Sequence, residues 1–510
     1  MNDCGVSYKY HARSIMEIGL TFDQKRYLTV TSFSIRMLFM GVEYAVIFPS
    51  VWLYLKIFHV DYWYLGLVLS AYNMVGIVST ILVGRLADAT RRIRLTGFLW
   101  NLAEITGNFV YAMHFNVTFP LFGRMIAGFG EGYISAMWGE LARVTTKEQR
   151  TRYFAILKGS NLLGAAIGPA LNLFLKEFDF YIGGWHIDFR TSPGFFMGIV
   201  WIFVTFIMLV FVYDLSSELQ SQSNGYTLLL QNNPDEKNAG SLLSGAITPK
   251  ENGNGGKVKK TVAVRAEDMS NDTEKDDLKS LTADTTEDVP TNPKGPATFW
   301  SAWVDMFTKF EVNVLVYLLF FMYVTHTCLQ GITPLVAEKM LDWNETKVSI
   351  VYTVWGLEII IVLIVVWLVS PKIADRVILL VAVLCGALAS ISLIVLSYSS
   401  PGSKLCYYSF LVTIFLGGVG ISITVVVGRS LVSKHTSQEN QGLVHAILTS
   451  FNRLAGLLGP IFGSSLYTYK TLMGCLIAGV QFLGLILVIA AFRRLKVVDK
   501  NSFSSEREAV

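Results

Sequence analysis

Arg376-Val-Ile-Leu-Leu-Val-Ala-Val-Leu-Cys-Gly-Ala-Leu-Ala-Ser-Ile-Ser-Leu-Ile-Val-Leu-Ser397 carries no charge beyond its opening arginine. A hydrocarbon layer of ~30 Å takes ~20 apolar residues in helical form, and only helices or closed barrels satisfy their backbone inside it. Runs of this length exclude the barrel, so the stretch predicts a membrane-spanning helix. The pattern recurs along the chain. Spans are expected near 28–55, 64–87, 96–115, 119–141, 153–175 and 194–214, then near 312–336, 348–370, 376–397, 406–429, 444–467 and 472–493. Six plus six gives an all-α polytopic membrane protein of twelve transmembrane helices in two six-helix pseudo-repeats, with both termini on one side.

Composition agrees. Of 510 residues, 52% are hydrophobic and 16% charged, where soluble domains carry about 25% charge. A single soluble core does not grow to this size. The two apolar blocks, 28–214 and 311–493, are separated by a polar connector at 215–310 and flanked by tails at 1–27 and 494–510. The connector's Asn/Gly run 252–256, acidic run 271–288 and prolines Pro290, Pro293 and Pro296 offer too few apolar groups to offset chain ordering, so it reads as disordered. Within it, Tyr226-Thr-Leu-Leu229 fits the tyrosine-plus-hydrophobe pattern of cytosolic sorting signals, which would engage sorting adaptors. Five cysteines show no ligand spacing and read as free thiols, not a disulfide framework or a metal site. Met1 to Phe22 lacks a signal-peptide plan, leaving the first span as an uncleaved insertion signal.

Basic residues in short loops set orientation. Arg91, Arg92 and Arg94 follow span two, Arg143, Lys147, Arg150 and Arg152 follow span four, and Arg493, Arg494 and Lys496 follow span twelve. The alternate loops hold little positive charge, which places both tails and the connector in the cytosol. Asn116-Val-Thr and Asn344-Glu-Thr then face the lumen or exterior, with Asn344 the better glycosylation candidate.

The halves echo each other. Asp88 and Asp375 are 287 apart, Gly128 and Gly418 are 290 apart, and Gly168-Pro169 and Gly459-Pro460 are 291 apart. Three landmarks in nearly one register indicate a duplicated unit, and parallel repeats of this kind place a solute path between the halves.

At these residues the chain resembles the major facilitator superfamily. Gly84-Arg-Leu-Ala-Asp88, with Arg92 and Arg94 beyond it, is similar to that family's gating motif after span two, although Ala89 and Arg91 depart from it. Arg124-Met-Ile-Ala-Gly128-Phe-Gly130 and Gly164-Ala-Ala-Ile-Gly168-Pro169 resemble its span-four and span-five patterns. Ser34-Ile-Arg36, Tyr64-Leu-Gly66, Ser70-Ala-Tyr72, Glu148-Gln-Arg150 and Arg453 before Gly456-Leu-Leu-Gly459-Pro460 are similar to the major facilitator domain-containing protein 8 group, of lysosomal, ceroid-lipofuscinosis type. The resemblance implies that Asp88 latches the halves near the start of span eleven. It also implies that spans one, four, seven and ten line a central cavity. Gly164, Gly168, Pro169, Gly459 and Pro460 are then hinge candidates, or close-packing positions where small residues let helices approach.

Charges at membrane depth cost about 2.5–3.5 kcal/mol each at mid-helix and should meet a partner or water. Span one has Arg36 and Glu43, seven apart and so on one face. Span four repeats the arrangement with Arg124 and Glu131. His326 sits in span seven, Glu104 and Glu358 in spans three and eight, and Arg453 in span eleven. By the resemblance, Arg36, Glu43, Arg124, Glu131 and His326 face the cavity; the alternative is a set of structural ion pairs. Burial and a neighbouring arginine pull a carboxylate's proton affinity in opposite directions, which makes Glu43 and Glu131 proton-site candidates. His326 suits an acidic lumen, and Arg36 and Arg124 suit an anionic solute.

No enzyme signature, phosphate-cradling loop, cofactor motif or nucleic-acid-binding pattern is present. The reading is a secondary active transporter that moves a small molecule or ion across a lipid bilayer by alternating access, proton-linked, in a lysosomal or endosomal membrane, with the plasma membrane as alternative. An anion-conducting channel and a non-transporting scaffold or sensor are the rivals.

Overall fold

The computed structural model describes residues 19–221, 299–437 and 441–496. Span one is a bent pair, Phe22–Val46 and Phe48–Lys56, meeting at 41°, with Pro49 in the first turn of the second piece, where its missing N–H costs nothing. Spans two and three are Tyr62–Thr90 and Ile93–Ala112. Span four is two pieces, Thr118–Glu131 and Ile134–Val144, followed by span five, Lys147–Leu175, and span six, Ser192–Phe211. In the second half, a short helix at Phe299–Phe307 precedes spans seven to nine, Phe310–Leu341, Glu345–Val369 and Asp375–Tyr398. Spans ten to twelve are Lys404–His435, Gln441–Ser465 and Lys470–Ala491.

Among the described residues, eight helices are long and apolar enough to cross a membrane, and the bent pair makes nine. The other three spans carry Asn101, Glu104, Arg124, Glu131 and Arg453, polar groups that lower their apolar character. Capping sets several helix starts. Thr21 and Gln24 form a reciprocal box at span one, and Thr146, Asn344 and Ser403 accept from the third residue of spans five, eight and ten, each satisfying an orphan N–H. Span two ends at Arg91 and span seven at Asp342, both left-handed, with φ of 54° and 52°. Both ends of the expected connector that the structure describes are helical, at 215–221 and Phe299–Phe307.

A β-hairpin interrupts the all-α expectation. Phe180–Ile182 pairs antiparallel with Trp185–Ile187, and the turn uses Gly183 at φ +62°, a conformation that costs glycine little. Trp185 Nε1 donates to the Ala112 carbonyl at 2.9 Å, pinning the hairpin over the end of span three.

Close helix approach organises each half in the same way. A Cβ on Gly41 or Gly164 would lie about 2 Å from the backbone carbonyl of Asn161 or Leu38, and one on Gly459 would meet Thr327 Oγ1 as closely. Spans one and five therefore interlock in the first half, and spans seven and eleven in the second. Gly128 packs on Tyr72 of span two, and Gly418 on Trp355 and Glu358 of span eight, which repeats the same contact. Between the halves, span two crosses span eleven where Gly66 meets Pro460 and Ser464, and span eight crosses span five where Gly356 meets Ala166.

A candidate transport site between the halves

The face bearing the basic loops and the face bearing the β-hairpin are held differently. Near the hairpin face, links cross from one half to the other. Trp52 and Lys56 both donate to Glu338, Phe48 stacks on Tyr352 at 5.5 Å and Tyr62 meets Tyr467 at 5.1 Å, and Ser70 Oγ donates to the Leu457 carbonyl at 2.6 Å. At the basic face, the ion pairs among the described residues join groups of one half: Lys25 with Glu218, Asp88 with Arg143 and Asp375 with Lys434. Bonds from half to half thus gather at the hairpin end, and the ion pairs of the basic end tie each half to itself.

Asp88 and Asp375 confirm the repeat in side-chain terms. Asp88 accepts from Arg143 Nη1 at 2.6 Å, at the end of span four, and Asp375 accepts from Lys434 Nζ at 2.7 Å, at the end of span ten. The expected latch of Asp88 to span eleven is thus replaced by a tie within its own half. Gly84 would touch Ser135 of span four at 3.5 Å if it carried a Cβ, Arg94 N donates to Asp214 at 2.9 Å, and Arg92 is exposed.

Arg36 and Glu43 do share a face, but it points into the first half. Both are fully buried, as is Glu104, and Arg124 is 2% exposed. Arg36 donates to Asn101 Oδ1 and the Gly130 carbonyl, each at 3.1 Å, lies 3.6 Å from Glu104 and rests on the Tyr133 and Trp201 rings. Glu43 accepts from Asn108 at 2.8 Å and Trp201 Nε1 at 2.9 Å, and Arg124 Nη1 stands 3.7 Å away. The Glu43 and Glu104 carboxyls act directly on each other. Asn101, Glu104 and Asn108 form one stripe of span three. Two cations and two carboxylates make an enclosed, nearly neutral network, so Arg36, Glu43 and Arg124 are core groups here and not cavity-lining ones. Such networks hold only while complete, because removing one partner strands a buried charge.

Glu131 parts company with Arg124. The seven-residue spacing places them on one helical face, yet Arg124 turns into the first half while Glu131 accepts from Arg453 Nη1 of span eleven at 2.9 Å. Span four ends its first piece at Glu131, and short i→i+3 bonds at Gly132 and Tyr133 tighten the junction. The glycines there permit it, since Cβ atoms on Gly130 and Gly132 would collide with Glu104 and Ser79.

Two further cations complete the site, and neither stood out in the sequence. Lys158 of span five reaches solvent although protein encloses it, and its ammonium feels Arg429, Glu131 and Arg453. Arg429 of span ten lies mostly buried beside Tyr323, with Nε unpartnered. Tyr323 in turn feels Arg429, Glu131 and Arg453. The interbundle site therefore holds Lys158, Arg429 and Arg453 against one carboxylate.

His326 faces elsewhere. It borders a cavity of about 20 Å³ inside the second half, with Ser390, Thr413 and Gln481, and a water needs about 10–15 Å³ on this measure, so no solute fits. Its ring meets Trp355 at 5.1 Å edge-on, and Nδ1 has no partner. Glu358 lays its carboxyl against Gly418 of span ten, with Oε1 buried and unpartnered. Asn344 is exposed on the hairpin face, where its Oδ1 caps span eight at 3.1 Å, and Asn116 is exposed there too. Tyr226 and Leu229 lie outside the described residues. Among the described residues no group of acidic, His and Cys side chains forms a metal site.

Residues 32–411 match the Major Facilitator Superfamily. The chain belongs to that family. It is 23% identical to Major facilitator superfamily domain-containing protein 8 of Xenopus laevis, over 94% of each chain. The human organic anion transporter MFSD10 (TETRAN) shares its fold at 16% identity and TM-score 0.50, covering 91% of this chain and 99% of that one. A bacterial homolog of the human lysosomal transporter Spinster, inward-facing and unoccupied, aligns at 12% identity and TM-score 0.56, covering 92% and 95%. As a superfamily member the protein is a multi-pass membrane transporter.

Proposed function

We propose that the protein is a secondary carrier that moves a small solute between the cytosol and a lumen by alternating access, coupled to protons. The carrying observation is the asymmetry of the interface: cross-half bonds gather at the hairpin end, while the ion pairs of the basic end stay within one half. By the distribution of loop charge the basic end is cytosolic, and so are the tails and the 215–310 connector. Rocking the halves about the crossings of spans two with eleven and five with eight would open the hairpin end, with Gly164, Gly168, Pro169, Gly459 and Pro460 as the paired hinges. Closure at one end favours a carrier over a conducting pore.

Lysosomal or endosomal residence rests on the likeness to the domain-containing protein 8 relative and to the homolog of a lysosomal transporter. Imaging the tagged protein against a lysosomal marker tests it, and surface-only signal overturns it. Alternation is tested without knowing the solute. In a double Lys56→Cys/Glu338→Cys variant, cross-linking should seal the hairpin end. A third cysteine in place of Lys158 should then react with an impermeant maleimide only from the basic face, and from both faces once the link is reduced. Labelling from one face alone in the reduced protein would overturn the carrier reading.

A further inference from the structure

Among the charges of the membrane interior, those of the first-half network are matched two against two. The interbundle site is not: Glu131 pairs with Arg453 at 2.9 Å, Lys158 and Arg429 stand near that pair, and Lys158 Nζ donates to Asn161 Oδ1 at 3.2 Å, with no ion pair to either cation among the described residues. Arg453 and Glu131 are only 14% and 13% exposed, and Arg429 keeps an unpartnered buried Nε. A surplus of cations in a low-dielectric crevice is stable only with an anion at hand, and it concentrates anions from solution.

We propose that this site binds an anionic solute, a carboxylate or phosphate, between Lys158 of the first half and Arg429 and Arg453 of the second, and that Glu131 is a built-in competitor for Arg453. The proposal deepens the carrier reading and rests on it. An anion bridging the two halves pulls them toward each other.

Glu131 occupies the arginine when no solute is present. Taking up a proton from the vestibule neutralises its carboxylate, breaks the pair with Arg453 and frees that guanidinium for the solute. One proton and one negative charge enter together, so the site's net charge is unchanged between empty and loaded states. That balance favours electroneutral co-transport of one proton with one monovalent anion. Several groups set the proton's environment from the surrounding helices. Tyr72 of span two, Glu104 of span three and Tyr44 of span one stand within electrostatic reach of Glu131. Lys158 of span five and Arg453 of span eleven do so as well, and Tyr323 of span seven and Arg429 of span ten stand alongside. His445 of span eleven, beside Arg429, is a second titratable group that needs its own control.

The test uses the full-length protein in nanodiscs at low ionic strength, with thermal stabilisation as the readout. Succinate and inorganic phosphate are the anionic probes, glucose the neutral one and choline the cationic one. Saturable stabilisation by one or both anions alone is expected, and the two arms separate carboxylate from phosphate recognition. K158Q and R429Q should weaken it by about tenfold or more, the size of one lost charge-assisted hydrogen bond. In the wild type, anion affinity should rise as the pH falls. E131Q should bind at neutral pH as the wild type does in acid and lose the slope, while H445Q keeps it. Equal stabilisation by glucose or choline overturns the anion site even if no variant folds. Unchanged binding in folded K158Q and R429Q overturns it as well, and an unchanged pH slope in E131Q overturns the competitor. The maleimide test of alternation uses no solute, so the carrier reading and this assignment fail separately.

Discussion

Arg36 and His326 occupy the same place in the two halves. They are 290 residues apart, the spacing of Gly128 and Gly418, and each sits in the first helix of its bundle, facing that bundle's interior. Arg36 is held by Asn101, Glu104 and a carbonyl, on two aromatic rings. His326 borders a small cavity with one ring nitrogen unpartnered. The difference follows from charge. A guanidinium cannot shed its proton and must be surrounded by acceptors, whereas an imidazole can be neutral and tolerates a sparse setting. Duplication preserved the position and depth of a polar side chain, and only the first half kept the counter-ions that turn it into a rigid core.

The comparison breaks most sharply under substitution of the network. E104A should cost about 3–5 kcal/mol, because Arg36 is then buried without its carboxylate, and the folded yield in detergent should collapse. The double variant R36M/E104M should be less damaging than E104A, since it removes both charges. At the equivalent position in the second half, H326L should change the unfolding midpoint by less than about 1 kcal/mol, within the range of volume-conserving core changes. Comparable losses in H326L and E104A would remove the distinction between the halves.

A smaller effect belongs to the loop before span six. Asp188 is partly buried, which alone would raise its proton affinity, but Arg190 and the N–H groups of Arg190 and Thr191 outweigh burial and hold its carboxyl below the usual aspartate range. A depressed folded value stabilises above the ordinary aspartate pKa, about 3.9, and that stability is lost as the pH falls through the lowered value. D188N should therefore lower the unfolding midpoint near neutral pH by an amount equivalent to about 1 kcal/mol. The gap to wild type should narrow as the medium becomes strongly acid.

Much of this was legible in the chain. Apolar runs located the spans, and the offsets near 290 located the repeat, because hydrocarbon thickness and helix packing leave strong periodic marks. Partnership was not legible. Glu104 was only one more intramembrane charge until span three was seen to present it to Arg36 and Glu43. Glu131 was expected to share a face with Arg124, and the junction after it sends the two apart. Lys158 and Arg429 lay inside the expected spans, 153–175 and 406–429, but toward their basic-face ends, where a cation reads as a marker of orientation and not as part of a site. The hairpin at 180–187 left no alternation long enough to read.

The contact between Glu338 and Trp52 with Lys56 closes the hairpin end, so E338A should tilt the protein toward its other state without touching the interbundle cations. The most direct measurement places one spin-label pair at Arg92→Cys and Lys372→Cys on the basic face and another at Asn116→Cys and Lys404→Cys on the opposite face, in otherwise wild-type and E338A protein. A carrier that rocks predicts a new population in E338A in which the basic-face distance shortens while the other lengthens. Distances that stay fixed, or that lengthen or shorten together, would contradict alternating access by this chain.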